Sequence, residues 1–143
     1  MNPREFQRLA QRLVLNPLPA ELRTAVSRAY YAAFHVSDET LRQWGFSISK
    51  GPAGHGEVRS HFGNSGDRDL ARIGSQLNDL HSARIRADYR LDRSDVEDHK
   101  TVQVLVDLAR RMIQEIEGCR SQQSRADAAI EVISRWKQAI RSP

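Results

Sequence analysis

The feature that most constrains the fold is the stretch from Glu21 to Gly45, which contains no proline and reaches a glycine only at its last position. Apolar and small residues recur along it with the period of about 3.6 that a helix with one buried face requires. Pro19 precedes the stretch, where prolines suit a helix start, and Gly45 stands where helices commonly end. The sequence therefore predicts a long central helix. Its buried face is expected to comprise Leu22, Ala25, Val26, Ala29, Ala33, Val36, Thr40 and Trp44.

The same helix carries a row of polar side chains beside a row of alanines. Arg28, Tyr31 and His35 are spaced so that they share one helical face. The neighbouring alanines leave little bulk, so another helix can approach closely. Such a pair of rows indicates either a buried hydrogen-bonded network or a binding site. The ordinary interpretation of His35 is structural, as a residue that hydrogen-bonds near Tyr31.

Length and composition limit the class of protein. The chain has 143 residues, which fits one domain, and its 39% apolar and 28% charged residues indicate a modest core without disorder. No apolar run approaches the about 18 residues of a membrane span, and the N-terminal residues lack the apolar core of a signal peptide. A cytoplasmic protein is therefore the default expectation, and the single cysteine, Cys119, excludes an intrachain disulfide. The net charge of +4 weakly favours an acidic partner such as RNA.

Helical periodicity recurs along the rest of the chain, and the alternation typical of strands is absent. Ser94 and Glu97 match a capping box, in which each side chain bonds a free backbone N–H at a helix start. Pro17 and Pro19 are expected to end the first helix. The remaining predicted helices span residues 3–15, 55–62, 67–89, 94–118 and 125–140, with a glycine-rich loop over 46–56 and a polar segment over 119–124.

These segments predict an all-α fold. We expect an antiparallel four- to five-helix up-and-down bundle over residues 1–118. Residues 119–143 are expected to form an additional C-terminal helical extension that packs on the bundle or on a dimer seam.

Arg84 breaks the pattern of its own helix. The apolar stripe of that helix continues onto Arg84 and then onto Asp88, with His81 beside it. An arginine in line with a buried face is costly unless it is paired, and Asp88, four residues on, is a natural partner. Arg84 is therefore either half of a structural ion pair at the end of the bundle or a phosphate-binding residue in a groove. The stripe consists of Leu70, Ile73, Leu77 and Leu80.

Two segments together resemble the HEPN domain family, which comprises small helical bundles of bacteria and archaea often encoded beside a minimal nucleotidyltransferase. The segments are RTAVSRAYYAAFH, from Arg23 to His35, and LNDLHSARIRADY, from Leu77 to Tyr89. They match the branch of the family that reads SRAYYA-x-FH and L-x-x-L-x-x-x-R-x-x-ADY, in the right order and separation. The resemblance covers roughly residues 4–118.

The resemblance implies a homodimer and, for many members, metal-independent endoribonuclease activity. The family site is an arginine followed, after four to six residues, by a histidine, contributed by both chains of a homodimer. The family arginine falls on Arg84, but Tyr89 stands where the histidine is expected, which leaves open whether this chain is an enzyme. In one toxin branch a tyrosine near that histidine is modified with AMP by the partner nucleotidyltransferase.

No other histidine is an obvious replacement. Arg28 with His35, and Arg93 with His99, have the family spacing, but an arginine-rich chain produces such pairs by chance. The pair of Arg93 and His99 is expected to face solvent. No group of histidine, cysteine and acidic residues has the spacing of a metal site. The remaining histidines are typical of ordinary polar surface residues; they are His55, His61 and His81.

The sequence thus leads to one main function and two alternatives. The main one is a HEPN-domain protein of a toxin–antitoxin or defence system that binds RNA or a nucleotide in a polar groove, with a minimal nucleotidyltransferase antitoxin as partner. The alternatives are an active metal-independent endoribonuclease toxin and a non-catalytic helical interaction module. Arg84 is the candidate for stabilising phosphorane charge and His35 or His81 for moving protons, with no metal, cofactor or membrane expected. The candidate ligand-binding residues are Arg28, Tyr31, His81, Asp88 and Tyr89.

Overall fold

A computed structural model describes residues 1–16 and 18–142, and within them it contains helices and no strand, which confirms the all-α prediction. Pro17, expected to end the first helix, lies outside the described residues. None of the helices in the described part of the chain is long and apolar enough to cross a membrane. The helices are α1 (Arg4–Leu13), α2 (Pro19–Gln43), α3 (Ala53–Gly63), α4 (Arg68–Tyr89), α5 (His99–Ser121) and α6 (Gln123–Arg141), with a short 3-10 turn at Asp95–Glu97.

Helix α2 is the central helix of the bundle, as its sequence predicts. It packs mainly against α1, α4 and α5, with smaller contacts to α3 and to the 3-10 turn. Its predicted face is buried from Leu22 to Thr40, whereas Trp44 lies just beyond the helix end and is half-buried. Small side chains let helix axes approach closely. The alanines that allow this are fully buried; they are Ala25, Ala29, Ala32 and Ala33.

The start of α4 is held by Asp67. One carboxylate oxygen of Asp67 accepts hydrogen bonds from the backbone N–H groups of Asp69 and Leu70, both at 3.0 Å, so Asp67 is the N-cap. The same carboxylate pairs with Arg125 of α6, whose Nε lies 2.6 Å from it. The hydrogen bond from Arg125 holds the pKa of Asp67 below its usual range. One side chain thus both begins α4 and attaches α6 to it.

The end of α4 is held by Arg23, the first residue of the motif on α2. The last carbonyl groups of a helix lack partners within the helix, and here one guanidinium group supplies them. Nη1 donates to the carbonyl oxygens of Arg86 and Ala87, both at 3.0 Å. Nη1 also donates to Arg90, and Nη2 donates to Leu91 and Arg93, at 3.2, 3.3 and 2.7 Å. The side chain is almost wholly buried, so Arg23 is a structural residue that joins α2 to α4.

The predicted capping box at Ser94 is wrong. The Ser94 side chain makes no capping hydrogen bond, and Asp98 is the N-cap of α5, accepting from the backbone N–H of Thr101 at 2.9 Å. Two tertiary contacts override the local pattern. Val96 is fully buried, which fixes the 3-10 turn, and Glu97 lies 3.4 Å from the Arg23 guanidinium.

Helices α5 and α6 meet at a tighter junction than the sequence predicts. Helix α5 continues to Ser121 and α6 begins at Gln123, so the predicted polar segment 119–124 is almost entirely helical. Cys119 is fully buried within the core, which favours continuation of α5 past Gly118. Helix α6 then packs on α5 through small and apolar side chains. The buried residues of α6 are Ala126, Ala129 and Ile133.

Candidate functional site

Helices α2, α3 and α4 converge on a group of histidine, tyrosine and arginine side chains. Helix α2 supplies two adjacent tyrosines and a histidine, and α3 and α4 each supply one further histidine. The α4 histidine is followed one turn later by an arginine. We call this group the histidine cluster; it comprises Tyr30, Tyr31, His35, His55, His81 and Arg84.

The centre of the histidine cluster is Tyr30, which is buried and packs against two histidine rings. Its ring centroid lies 5.2 Å from that of His81 and 5.7 Å from that of His55. The rings of His55 and His81 stack on each other with centroids 5.0 Å apart. Phe34 closes the group with its ring 4.5 Å from that of His55. The polar atoms of the cluster are therefore surrounded by aromatic surface.

A hydrogen bond joins Tyr30 to His55. The Tyr30 hydroxyl contacts Nδ1 of His55. Burial and then the neighbouring Tyr31 raise the pKa of Tyr30 above its usual value, so the hydroxyl stays protonated and is able to donate to Nδ1. Burial, followed by the positive charge of nearby groups, lowers the pKa of His55. A neutral His55 with Nδ1 as acceptor carries its proton on Nε2.

The other two histidines of the cluster are neutral for the same reason. Burial lowers the pKa of His81, and the charges of Arg59 and Arg84 lower it further. Burial also lowers the pKa of His35, an effect that Asp38 partly opposes. Since an ordinary histidine titrates near pH 6.5, all three rings of the cluster are uncharged at neutral pH. A neutral imidazole can accept a proton from a substrate group.

Arg84 forms the ion pair that its sequence position predicts, and it also lies beside the aromatic rings of the histidine cluster. Its Nε donates to Asp88 at 2.8 Å, which is the expected ion pair one turn along α4. The guanidinium also lies over two aromatic rings, 5.1 Å from the Tyr31 centroid and 5.3 Å from that of Tyr89. The Arg84 side chain is only 16% exposed. The ion pair and the two rings hold the guanidinium at the surface edge of the histidine cluster.

Arg28 approaches the same tyrosine from its own helix. Its guanidinium carbon lies 5.2 Å from the Tyr31 centroid. One of its nitrogens is 3.3 Å from the Ser27 hydroxyl, which in turn donates to Asp88 at 3.2 Å. Asp88 therefore connects to Arg84 directly and to Arg28 through Ser27. Two cations share one carboxylate around the Tyr31 ring.

The structure brings all seven predicted site residues to one region. Six of them, all except His81, are connected by contacts to Tyr31, Arg84 or Asp88. Among the six, His35 stacks on Tyr31 with ring centroids 5.9 Å apart. His81 lies deeper, against Tyr30. The members are Arg28, Tyr31 and His35 on α2 and His81, Arg84, Asp88 and Tyr89 on α4.

Sequence reasoning missed His55 and Tyr30. His55 is expected from sequence to be a surface residue, yet it is half-buried at the centre of the cluster. The missed signal is Gly54, because a Cβ at that position would clash with the carbonyl oxygen of Ser49. Only glycine lets the first turn of α3 pack against that segment, which places the next residue, His55, beside Tyr30.

Two other expectations about histidines have opposite outcomes. His61 is buried, with its Nδ1 2.6 Å from the carbonyl oxygen of Glu57, so its assignment to the surface is wrong. Arg93 and His99 are both exposed, as predicted. Within residues 1–16 and 18–142, no three histidine, cysteine or acidic side chains are grouped to hold a metal ion.

Comparisons with known proteins assign no function to this site. No family model, no curated protein and no solved structure matches this chain. The site offers two guanidinium groups, exposed and half-exposed tyrosine rings, and neutral imidazoles. Those groups can hold a phosphate, stack on a base and move a proton.

Proposed function

We propose that this chain is a HEPN-type protein of a toxin–antitoxin or defence system that binds RNA or a nucleotide at the histidine cluster. In this proposal it works as a homodimer with a minimal nucleotidyltransferase as its partner. The observation that carries the binding proposal is the placement of two guanidinium groups against the Tyr31 ring. The resemblance of the two motifs to HEPN sequences supports the choice of family and partner.

The charges around Tyr31 favour a phosphate ligand. Arg28 and Arg84 carry two positive charges, and Asp88 supplies one negative charge between them. Because the neighbouring histidines are neutral at neutral pH, the excess positive charge resides on the arginines. Guanidinium groups bind phosphate oxygens in pairs of parallel hydrogen bonds, which compensates that excess.

The aromatic rings favour a single-stranded nucleic acid or a nucleotide over a simple anion. Tyr89 is 67% exposed and Tyr31 is half-buried, so both present ring surface to a ligand. Stacking of a base on an aromatic side chain contributes about 1–3 kcal/mol and works with any base. A phosphate on Arg84 would place the attached base within reach of these rings.

A second function, metal-independent RNA cleavage, is favoured by the stacked neutral histidines beside Arg84. Cleavage requires a base for the 2′-hydroxyl, an acid for the leaving 5′-oxygen and a positive charge on the phosphorane. Neutral His35 or His81 can take the first proton, the imidazolium so formed can return it to the leaving 5′-oxygen, and Arg84 can stabilise the charge. The family histidine is absent, because position 89 is Tyr89. The imidazoles that surround Tyr30 supply the same chemical groups from other positions.

The binding proposal is tested with Arg84→Ala and a matched arginine control. Loss of the guanidinium removes about 1–3 kcal/mol of phosphate binding, so affinity for a fluorescent single-stranded RNA should fall about tenfold or more. The control is Arg135→Ala on α6, where Arg135 forms an exposed pair with Glu131. Fluorescence anisotropy measures affinity, and circular dichroism checks the helix content. A folded Arg84→Ala protein with wild-type affinity would contradict the proposal.

The cleavage function is separated from binding by single substitutions of the cluster histidines. His35→Ala, His55→Ala and His81→Ala should spare RNA binding, and the variant that removes the proton-transfer group should abolish cleavage. Product formation on gels, in the presence of a metal chelator, is the readout. If wild-type protein binds RNA and cleaves none, the chain is a binding module. Light scattering of a monomer at micromolar concentration would contradict the dimer.

A further inference from the structure

A second concave site lies between α3, α4 and α6, separate from the histidine cluster. It is a cavity of about 1140 Å³. Small-molecule sites in proteins usually measure about 300–1,000 Å³ and combine apolar walls with a few convergent polar groups. The walls here include Arg59 and His61 from α3, Asn78 from α4, and Trp136 and Lys137 from α6. The volume is large enough for a small organic ligand.

The ammonium group of Lys137 lies at this cavity against an uncharged acceptor. Its Nζ is 3.2 Å from Nε2 of His61. The Nδ1 of His61 lies 2.6 Å from the carbonyl oxygen of Glu57, to which it donates, so Nε2 is the acceptor in the neutral ring. Burial lowers the pKa of His61, which keeps that ring neutral. The hydrogen bond therefore orients Lys137 without neutralising its charge.

Arg59 supplies a second positive charge at the cavity. Its Nη1 donates to Asn78 at 2.5 Å, while its Nε is buried and has no partner among the described residues. The carboxylate of Glu57 also lines the cavity, but both its oxygens are occupied. They accept from the backbone N–H and the hydroxyl of Ser49 at 2.7 and 2.6 Å. Two cations and one carboxylate thus line the cavity, and the carboxylate oxygens of Glu57 already accept from Ser49.

The remaining walls favour a flat ligand. Trp136 is half-buried and packs edge-on against His61, with ring centroids 5.4 Å apart and an interplanar angle of 78°. Gly74 forms part of the opposite wall, and a Cβ there would lie only 3.1 Å from the carbonyl oxygen of Arg59. Its missing side chain brings α3 and α4 together and keeps that wall smooth. A planar ring could lie on Trp136 with its charged group toward α3.

We propose that this cavity binds a small phosphorylated molecule with a planar ring, of the size of a nucleoside monophosphate. The phosphate lies between Arg59 and Lys137, and the ring packs on Trp136. The two cations exceed the single negative charge of Glu57 and attract a phosphate. Both arginine and lysine bind phosphate oxygens in proteins. The site uses none of the residues assigned to the histidine cluster. Because the charge of Arg59 also acts on His55 and His81 there, Lys137 and Trp136 are the residues that distinguish the two sites.

The test uses Trp136 as the reporter. The chain has two tryptophans, so Trp44→Phe leaves Trp136 alone. Titration of that protein with AMP should give a saturable fluorescence change, whereas adenosine and inorganic phosphate should each bind at least about tenfold more weakly, because each lacks one half of the ligand. Lys137→Gln and Arg59→Gln should each weaken AMP binding by about tenfold. Arg84→Ala, in the same background, should leave AMP affinity unchanged.

Several outcomes would overturn the proposal. No saturable response to AMP, by fluorescence or by calorimetry, would remove the site. Unchanged AMP affinity in folded Lys137→Gln would show that the ammonium does not contact the ligand. Inorganic phosphate binding as tightly as AMP would rule out the planar part of the ligand. Loss of the response in Arg84→Ala, with Lys137→Gln unaffected, would assign the binding to the histidine cluster.

Discussion

Replacement of Arg23 by alanine should destabilise the protein strongly although Arg23 touches none of the cluster's rings. The guanidinium of Arg23 is 9% exposed and donates to five backbone carbonyl groups at and beyond the end of α4. Alanine would remove the donor from all five, although the carbonyl oxygens of Arg86 and Arg90 would still accept from the backbone N–H groups of Arg90 and Arg93. It would also leave Glu97, 3.4 Å from Nε, without its cation.

The magnitude follows from how these groups are bonded. A hydrogen bond to a charged group contributes about 1.5–3 kcal/mol, but bonds that share one side chain do not add. Some of the carbonyl groups lie near the surface, where water can replace the lost donor. Breaking a buried charged network usually costs about 3–5 kcal/mol, and we expect Arg23→Ala to fall in that range. Arg23→Lys keeps the charge but loses the planar fork, so it should cost about 1–3 kcal/mol.

Urea unfolding, followed by circular dichroism, measures this loss. With a slope of about 2 kcal/mol per molar urea, Arg23→Ala should lower the midpoint by roughly 1.5–2.5 M. Arg135→Ala is the control, because Arg135 is 69% exposed and pairs with Glu131 on its own helix. That control should change the free energy of unfolding by less than about 0.5 kcal/mol. A loss below about 1 kcal/mol for Arg23→Ala would refute the assigned role.

Three further predictions concern pH, the attachment of α6 and assembly. Lowering the pH from about 7.5 to 5 should reduce the melting temperature. A buried histidine with a lowered pKa contributes to stability above its unfolded pKa of about 6.5, and that contribution is lost as the pH falls below this value. His81→Gln should flatten that slope, and an equally steep slope would show that other groups cause it. Asp67→Asn should lower stability at neutral pH and reduce the further loss of stability that the wild-type protein shows below about pH 4. The reason is that the Arg125 hydrogen bond lowers the pKa of the Asp67 carboxylate. Calorimetry between about pH 7 and pH 3 measures both effects. Light scattering at micromolar concentration should give the mass of a dimer, and a concentration-independent monomer would contradict it.

The helices could be predicted because their signals are local. The periodicity of 21–45 and the apolar stripe of 67–89 each lie within one segment, and both became α-helices close to the expected bounds. The candidate residues Arg28, Tyr31 and His35 share a helical face by spacing alone. Their meeting with Arg84 and Asp88 also follows once the two motifs lie on packed helices.

The rest could not be predicted because its signals are non-local. The carbonyl groups that Arg23 caps lie 63 to 70 residues away in sequence, and no pattern around Arg23 indicates them. The capping box at Ser94 fits the local rule, but burial of Val96 decides the geometry. His55 joins the cluster through a glycine whose contact is with the preceding loop, which only the folded chain shows.

Both ends of α4 are tied by side chains from other helices, which limits how this helix can move. Arg125 holds its first turn through Asp67, and Arg23 holds its last turn. Helix ends usually fray and exchange their amide hydrogens through local opening, whereas here fraying first requires breaking a charged contact to another helix. Amide exchange along α4 should therefore approach the rate set by global unfolding. His81 and Arg84 lie on this helix, so a ligand would meet them already ordered and would lose little conformational entropy on binding.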